Sequence, residues 1–263
     1  MKRIILLALA TLMVVASAVP AAAITQGTPD GEGHPMVGLL FYEVPGEGWF
    51  VCTGTALSET VVLTAGHCTD GVGTVHVTFD EVPEGLAEIV AGAEEVPGTW
   101  YTGTAHTAPG YDPNAFVMRD LGLVVLDTPA ALTEFGVLPD AGYLDAVMAD
   151  RKNDRLFTPV GYGIDSLVPT FTWTLTRQWS TSKLIDIRGT HGIPAGTVAK
   201  FSNNLGKKHT GGACSGDSGG PLFKQNTFVI GAITSYGISP CIGTDGAYRI
   251  DKVADLEWIN GFL

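Results

Sequence analysis

From residue 24 onward the sequence breaks into short apolar runs, each closed by residues that turn the chain. Met36–Tyr42, Thr60–Leu63, Thr74–Phe79, Leu121–Leu126, Phe157–Val160 and Phe228–Tyr236 are all of strand length. They are rich in Val, Ile, Thr and aromatic residues, the side chains that suit a pleated, half-buried surface. Clusters such as Pro29-Asp30-Gly31 and Pro109-Gly110-Tyr111-Asp112 mark turns, and the 34 glycines and 15 prolines leave little room for long helices. Helical spacing is confined to Asp251–Phe262, where Val253, Leu256 and Ile259 share one face. The pattern restricts the chain to an all-β fold with one C-terminal helix. Thr128–Leu144, with Pro129, Pro139 and Gly142, is the best candidate for a link between two halves.

The first 23 residues follow a different rule. Lys2 and Arg3 precede an apolar run from Ile4 to Val15, and Ala21-Ala22-Ala23 supplies the small residues of a signal-peptidase site. The run is short and Pro20 interrupts it, which disfavours a membrane anchor. Cleavage is expected after Ala23, or earlier after Ala18. Loss of Lys2 and Arg3 leaves 13 Lys+Arg against 27 Asp+Glu, so the formal charge moves from −12 to −14. So acidic a surface disfavours nucleic acid and anionic membranes as partners. The mature chain is expected to be secreted, to leave the membrane once the signal is removed, and to be a monomer.

Four cysteines are present: Cys52, Cys68, Cys214 and Cys241. An even count behind a signal peptide favours two disulfides, and of the three pairings the close ones are Cys52–Cys68 and Cys214–Cys241. A zinc site is a poor alternative because no Cys-x-x-Cys occurs. No organic cofactor is implied.

Two segments carry chemistry. Gly216-Asp217-Ser218-Gly219-Gly220 sets a serine among glycines and behind an acid, while Thr64-Ala65-Gly66-His67-Cys68 sets a histidine beside a cysteine. A serine hydroxyl is a poor nucleophile until a neighbouring imidazole takes its proton, so Ser218 and His67 are read as nucleophile and base. The glycines allow a tight turn in which the amides of Gly216 and Ser218 face one developing oxyanion. Asp120 heads the apolar run Leu121–Leu126, and an acid so placed is expected to be partly buried, which requires a partner. It is read as the group that holds the imidazole in the correct tautomer. Gly216–Gly220 also fits Gly-x-Ser-x-Gly, but the hydrolases with that elbow place their histidine after the serine. Here the last histidine is His209, so that fold is excluded.

In this order and spacing the chain resembles the chymotrypsin/trypsin-like family of serine endopeptidases. The separations of Cys52 from His67 and of Cys214 from Ser218 match the family. Val160-Gly161-Tyr162-Gly163 and Ser235-Tyr236-Gly237 resemble its Gly-Trp-Gly and Ser-Trp-Gly strands. The resemblance implies two antiparallel six-stranded β-barrels, one over about 24–130 and one over about 145–250, with the C-terminal helix at about 251–262. It implies a His67, Asp120, Ser218 triad at the junction, an oxyanion hole from Gly216 and Ser218, and a hydrogen bond from Ser235 to Asp120. A protein or peptide substrate would lie along Ser235, Tyr236 and Gly237 as an added strand.

The resemblance also implies a first specificity pocket with Gly212 and Ala213 at its floor and Gly237 and Gly246 as walls. No charge is on offer there, so an apolar side chain, aromatic or large aliphatic, is expected before the cut bond. A one-residue shift in Ile242–Ala247 would instead turn the Asp245 carboxylate into the pocket and favour Lys or Arg. Activation is expected when the freed amine of Ile24 pairs with Asp217. A cut after Ala18 leaves Val19–Ala23 as a propeptide. His34, His76, His106, His191 and His209 are read as structural. Asp80, Glu81 and Glu84 form an acidic loop with oxygen ligands suited to calcium, but such loops are commonly just solvated, and no metal is assigned.

Overall fold

The computed structural model describes residues 24–115, 117–152, 154–167, 170–189, 193–204 and 209–263. The expected signal segment and His191 lie outside the described residues. After a two-residue strand β1 (Thr28–Pro29), six strands form the first unit: β2 (Val37–Val44), β3 (Gly48–Ala56), β4 (Val61–Thr64), β5 (Thr74–Thr78), β6 (Tyr101–Thr107) and β7 (Gly122–Leu126). They close into an antiparallel barrel in the order β2-β3-β4-β7-β6-β5. Closure removes the unpaired edges that an open sheet would expose.

The second unit comprises β8 (Leu156–Gly161), β9 (Gln178–Trp179), β10 (Ser182–Asp186), β11 (Val198–Ser202), β12 (Pro221–Lys224), β13 (Ile230–Gly237) and β14 (Thr244–Arg249). Its ring runs β8-β10-β11-β14-β13-β12 and closes where Leu222 of β12 pairs with Pro159 of β8. Two six-stranded antiparallel barrels are therefore present, as expected. The short β9 and β1 extend the sheet outward from β8.

Three helices punctuate the barrels: α1 (Leu86–Ala91), α2 (Tyr143–Ala149) and α3 (Val253–Asn260). Only α3 is expected from spacing. At six and seven residues α1 and α2 are too short to display a helical period. α2 buries Leu144 and Val147 three residues apart, so the Thr128–Leu144 link ends inside a helix. Nor does the chain from residue 24 begin in the first barrel. Thr28 and Pro29 pair with Trp179 and Gln178, and Thr25 bridges to Gly212, so this segment packs on the second barrel.

A buried arginine that no motif marks joins the two halves. Arg177 donates from Nε to Asp30 Oδ2 at 2.9 Å and from Nη2 to the Gly31 carbonyl at 2.7 Å. Its Nη1 reaches the carbonyls of Phe79 at 2.8 Å and Val37 at 3.3 Å in the first barrel. Tyr162, at the end of β8, donates its hydroxyl to the Asp80 carbonyl at 2.8 Å. Burial works against ionisation of Asp30, but His34 and Arg177 outweigh it and hold its carboxyl below the ordinary range. A guanidinium with five donors can satisfy this many buried acceptors at once.

Candidate active site

His67 sits in a single 3-10 turn, Gly66–Cys68, directly after β4. Cys68 is bonded to Cys52 of β3, which ties this turn to the barrel wall. Thr64 pairs with Gly122, so the residue that precedes β7 by two, Asp120, lies beside the turn. Asp120 is fully buried. Its Oδ1 accepts the backbone amide of His67 at 2.9 Å, and both carboxylate oxygens lie 3.0 Å from His67 Nδ1. Ser235 Oγ donates to Asp120 Oδ2 at 2.6 Å. A carboxylate only accepts, so Nδ1 is the ring nitrogen that donates its proton to Asp120.

Ser218 lies in a turn knitted to both barrels. Its carbonyl accepts the Thr53 amide at 2.8 Å, and the next residue, Gly219, donates to the Thr234 carbonyl at 2.8 Å. Thr53 also donates its hydroxyl to the Gly216 carbonyl at 2.9 Å. Gly216 has φ +100 and Gly219 φ +78. A Cβ on Gly219 would fall 2.0 Å from Thr64 Oγ1, so no other residue fits. Among the described residues no protein acceptor takes the amides of Gly216 or Ser218. Ser218, Gly216 and His67 line one cleft of about 460 Å³, with Tyr42, Cys52 and Tyr111 on its walls.

Asp217 turns inward from this loop and is fully buried. Gly163 N and Cys214 N each donate to it at 2.8 Å. Burial pushes its carboxyl up to about 7; the two amides oppose this, and the charges of Asp245 and Asp165 add to it. Ile24 is also fully buried, and Thr25 N donates to the Gly212 carbonyl at 2.9 Å. Among the described residues no cation pairs with Asp217. With Ala23 still attached, the Ile24 nitrogen is a peptide amide and has no charge to offer Asp217.

A second cavity, of about 250 Å³, shares Ser218 and is walled by Ala213, Tyr236 and Gly237 and by the Cys214–Cys241 disulfide. Leu167, Thr234 and Ser239 also line it; Thr234 directly precedes the Ser235-Tyr236-Gly237 motif, whereas Leu167 and Ser239 come from segments without one. Gly212 and Gly246 do not line it. A Cβ on Gly246 would meet the Tyr236 ring at 2.0 Å, so this glycine makes room for the tyrosine and is not itself a wall. A Cβ on Gly212 would fall 2.3 Å from Asp245 Oδ2 and 2.0 Å from Asn203 Nδ2. The Asp245 carboxylate thus occupies the space a residue-212 side chain would fill. The β13–β14 ladder shifts register between Thr234 and Tyr236, which brings Asp245 opposite Gly237. Asp245 accepts the Ala213 amide at 3.0 Å and Asn203 Nδ2 at 3.3 Å, and burial pushes its carboxyl up to about 7.

The remaining described histidines have local partners. His34 Nδ1 meets Asp30 at 2.6 Å, His209 Nδ1 meets Thr28 Oγ1 at 2.7 Å, and His76 and His106 lie against Trp49 and Phe262. In the acidic loop Asp80 and Glu81 accept the amides of Thr99 and Gly31, and the Glu84 carbonyl accepts Trp100 Nε1. Cys52, Cys68 and His67 are close enough to suggest a metal, but the two sulfurs are bonded to each other and neither is a thiolate.

Paired barrels with a histidine–carboxylate couple and a serine turn facing one cleft define a class, the double-barrel serine-protease domains. Within it, the chain belongs to the trypsin family, whose model, described as Trypsin, matches residues 26–257. It is 29% identical to chymotrypsin of Phaedon cochleariae over 82% of this chain and 73% of that one. It is 28% identical to glucanase inhibitor protein 1 of Phytophthora sojae over 89% of this chain and 88% of that one. Among solved structures it matches HL collagenase with TM-score 0.69 at 17% identity, covering 91% of this chain and 97% of the other, a likeness of fold.

Proposed function

We propose that this chain is a secreted serine endopeptidase working through His67, Asp120 and Ser218. Ser218 Oγ attacks the scissile carbonyl while His67 Nε2 takes its proton. Asp120 stabilises the imidazolium, and the amides of Gly216 and Ser218 receive the oxyanion. The proton then passes to the leaving amine, and a water, activated the same way, hydrolyses the acyl-enzyme. The observation that carries this reading is that, among the described residues, buried Asp120 takes its hydrogen bonds from His67 and Ser235. One relative is named an inhibitor, so membership of the family does not by itself make an enzyme. The complete residue set and the two uncommitted amides favour catalysis. Labelling by an active-site-directed organophosphate tests this: labelling lost in Ser218→Ala supports the enzyme, and unlabelled processed protein favours a binding role.

The neutral cavity beside Ser218 supports preference for an apolar side chain before the cut bond, with Ser235 and Gly237 holding the substrate backbone. A second reading rests on Asp245, whose carboxylate lies against Gly212 and Ala213 just behind that cavity. An ionised, otherwise unpaired carboxylate there would draw in Lys or Arg. Cleavage profiles on a peptide library at pH 6 and pH 8.5 separate the two. Cutting after Phe or Leu at both pH values supports the apolar pocket; cutting after Arg that grows with pH and disappears in Asp245→Asn supports the second.

The signal-like residues 1–23 and the two disulfides support secretion. Cleavage after Ala23 would free the Ile24 amine to pair with Asp217 and order the oxyanion turn. Cleavage after Ala18 would leave a propeptide for a second protease. N-terminal sequencing of the secreted protein distinguishes them.

A further inference from the structure

The C-terminal helix carries a buried carboxylate outside the proposed triad. Asp255 of α3 accepts the Tyr248 hydroxyl at 2.7 Å on one oxygen and Arg119 Nε at 3.1 Å on the other. Arg119 is the residue immediately before Asp120. Its backbone has φ +54, a region that a non-glycine residue keeps only when its surroundings impose it. Leu121 N donates to the Arg119 carbonyl at 2.7 Å, closing a three-residue turn with Asp120 at its centre. Arg119 Nη1 is also bonded to the Pro109 carbonyl, which seats the guanidinium on the loop that follows β6.

The turn that aims Asp120 at His67 therefore starts from a strained residue whose side chain is anchored on a helix 136 positions away. We propose that Arg119 and Asp255 are positioning residues: through their ion pair the C-terminal helix sets the direction of the Asp120 carboxylate. Neither touches the reacting atoms. The proposal rests on the reading of Asp120 as the orienting acid. The bland rival is that the pair only pins the Pro109–Arg119 loop, whose Tyr111 lines the cleft. That role would act on substrate binding, whereas misdirecting Asp120 would act on the proton relay.

The two roles separate in the kinetics of Asp255→Asn and Arg119→Met, normalised to active sites by burst titration. If the proposal holds, kcat falls about tenfold or more while KM stays within about twofold, the pattern of an interaction that matters in the transition state. The acid limb of the kcat/KM profile moves to lower pH, because a protonated His67 loses its aligned counter-charge. Arg119→Lys, which keeps the cation without the fork, recovers part of kcat. The Arg119 side chain is 30% exposed, so its variants remain informative should Asp255→Asn not fold. A rise in KM alone, or a lower Tm with kcat and acid limb unchanged, overturns the proposal. Wild-type protein that gives no burst overturns the endopeptidase reading instead.

Discussion

Ser235 Oγ lies 2.6 Å from Asp120 Oδ2, so a residue of the last hairpin of the second barrel satisfies the acid that the first barrel buries. The bond spans the junction between the barrels. Without it one oxygen of a buried carboxylate would lack a donor from that side, and its hold on His67 would loosen.

Ser235→Ala removes this hydroxyl and keeps the strand backbone. Hydrogen bonds to charged groups contribute about 1.5–3 kcal/mol. If most of that is expressed in the transition state, kcat falls roughly ten- to hundredfold with little change in KM. Steady-state kinetics on a peptide substrate would check it; an unchanged kcat would show that His67 alone holds Asp120.

Gly219→Ala is expected to damage both fold and site. The new methyl would stand 2.0 Å from Thr64 Oγ1 and 2.6 Å from the Thr53 carbonyl, at φ +78. Strain and overpacking together should cost about 3 kcal/mol or more, lowering Tm by roughly 6–12 °C for a chain of this size. Calorimetry gives the answer directly.

The pH dependence of stability follows from Asp217 and Asp245. Burial pushes both carboxyls up to about 7, well above an unfolded aspartate near 4. Between those values the folded state binds more protons at these two sites, so their contribution to stability is greatest below about pH 4 and declines as pH rises from about 4 through about 7. An amine freed at Ile24 beside Asp217 favours the ionised form and weakens this decline. Urea unfolding at pH 5 and pH 8 should show a larger loss at pH 8 for a chain blocked before Ile24 than for the trimmed one. Equal slopes would argue against the Ile24–Asp217 pair.

Arg177→Met leaves Asp30 buried without its guanidinium, and four backbone carbonyl and hydroxyl acceptors lose a donor. Breaking a buried pair by removing one partner costs about 3–5 kcal/mol. The double variant Asp30→Asn with Arg177→Met should be less destabilised than the sum of the two single changes, because the pair couples directly. Denaturant titration of the four proteins tests the coupling.

The residues with local signatures were readable before any fold was known. His67, Asp120 and Ser218 stand in sequences whose glycines, cysteine and apolar run single them out, and the fold places Asp120 against His67 and sets His67 and Ser218 on one cleft. The floor of the first pocket was different. Whether Asp245 or empty space lies against Gly212 depends on a register shift between β13 and β14, and ladder register is set by pairing across strands distant in the chain.

Linear order alone thus determined an all-β chain whose histidine, aspartate and serine motifs follow in the order of the trypsin family. Tertiary structure decided which buried charges meet: Arg177 with Asp30, Arg119 with Asp255 and, among the described residues, Asp217 with the amides of Gly163 and Cys214. The reason is physical. A strand or a turn is specified by neighbours a few residues away, whereas a buried ion finds its partner only after burial has removed water from both.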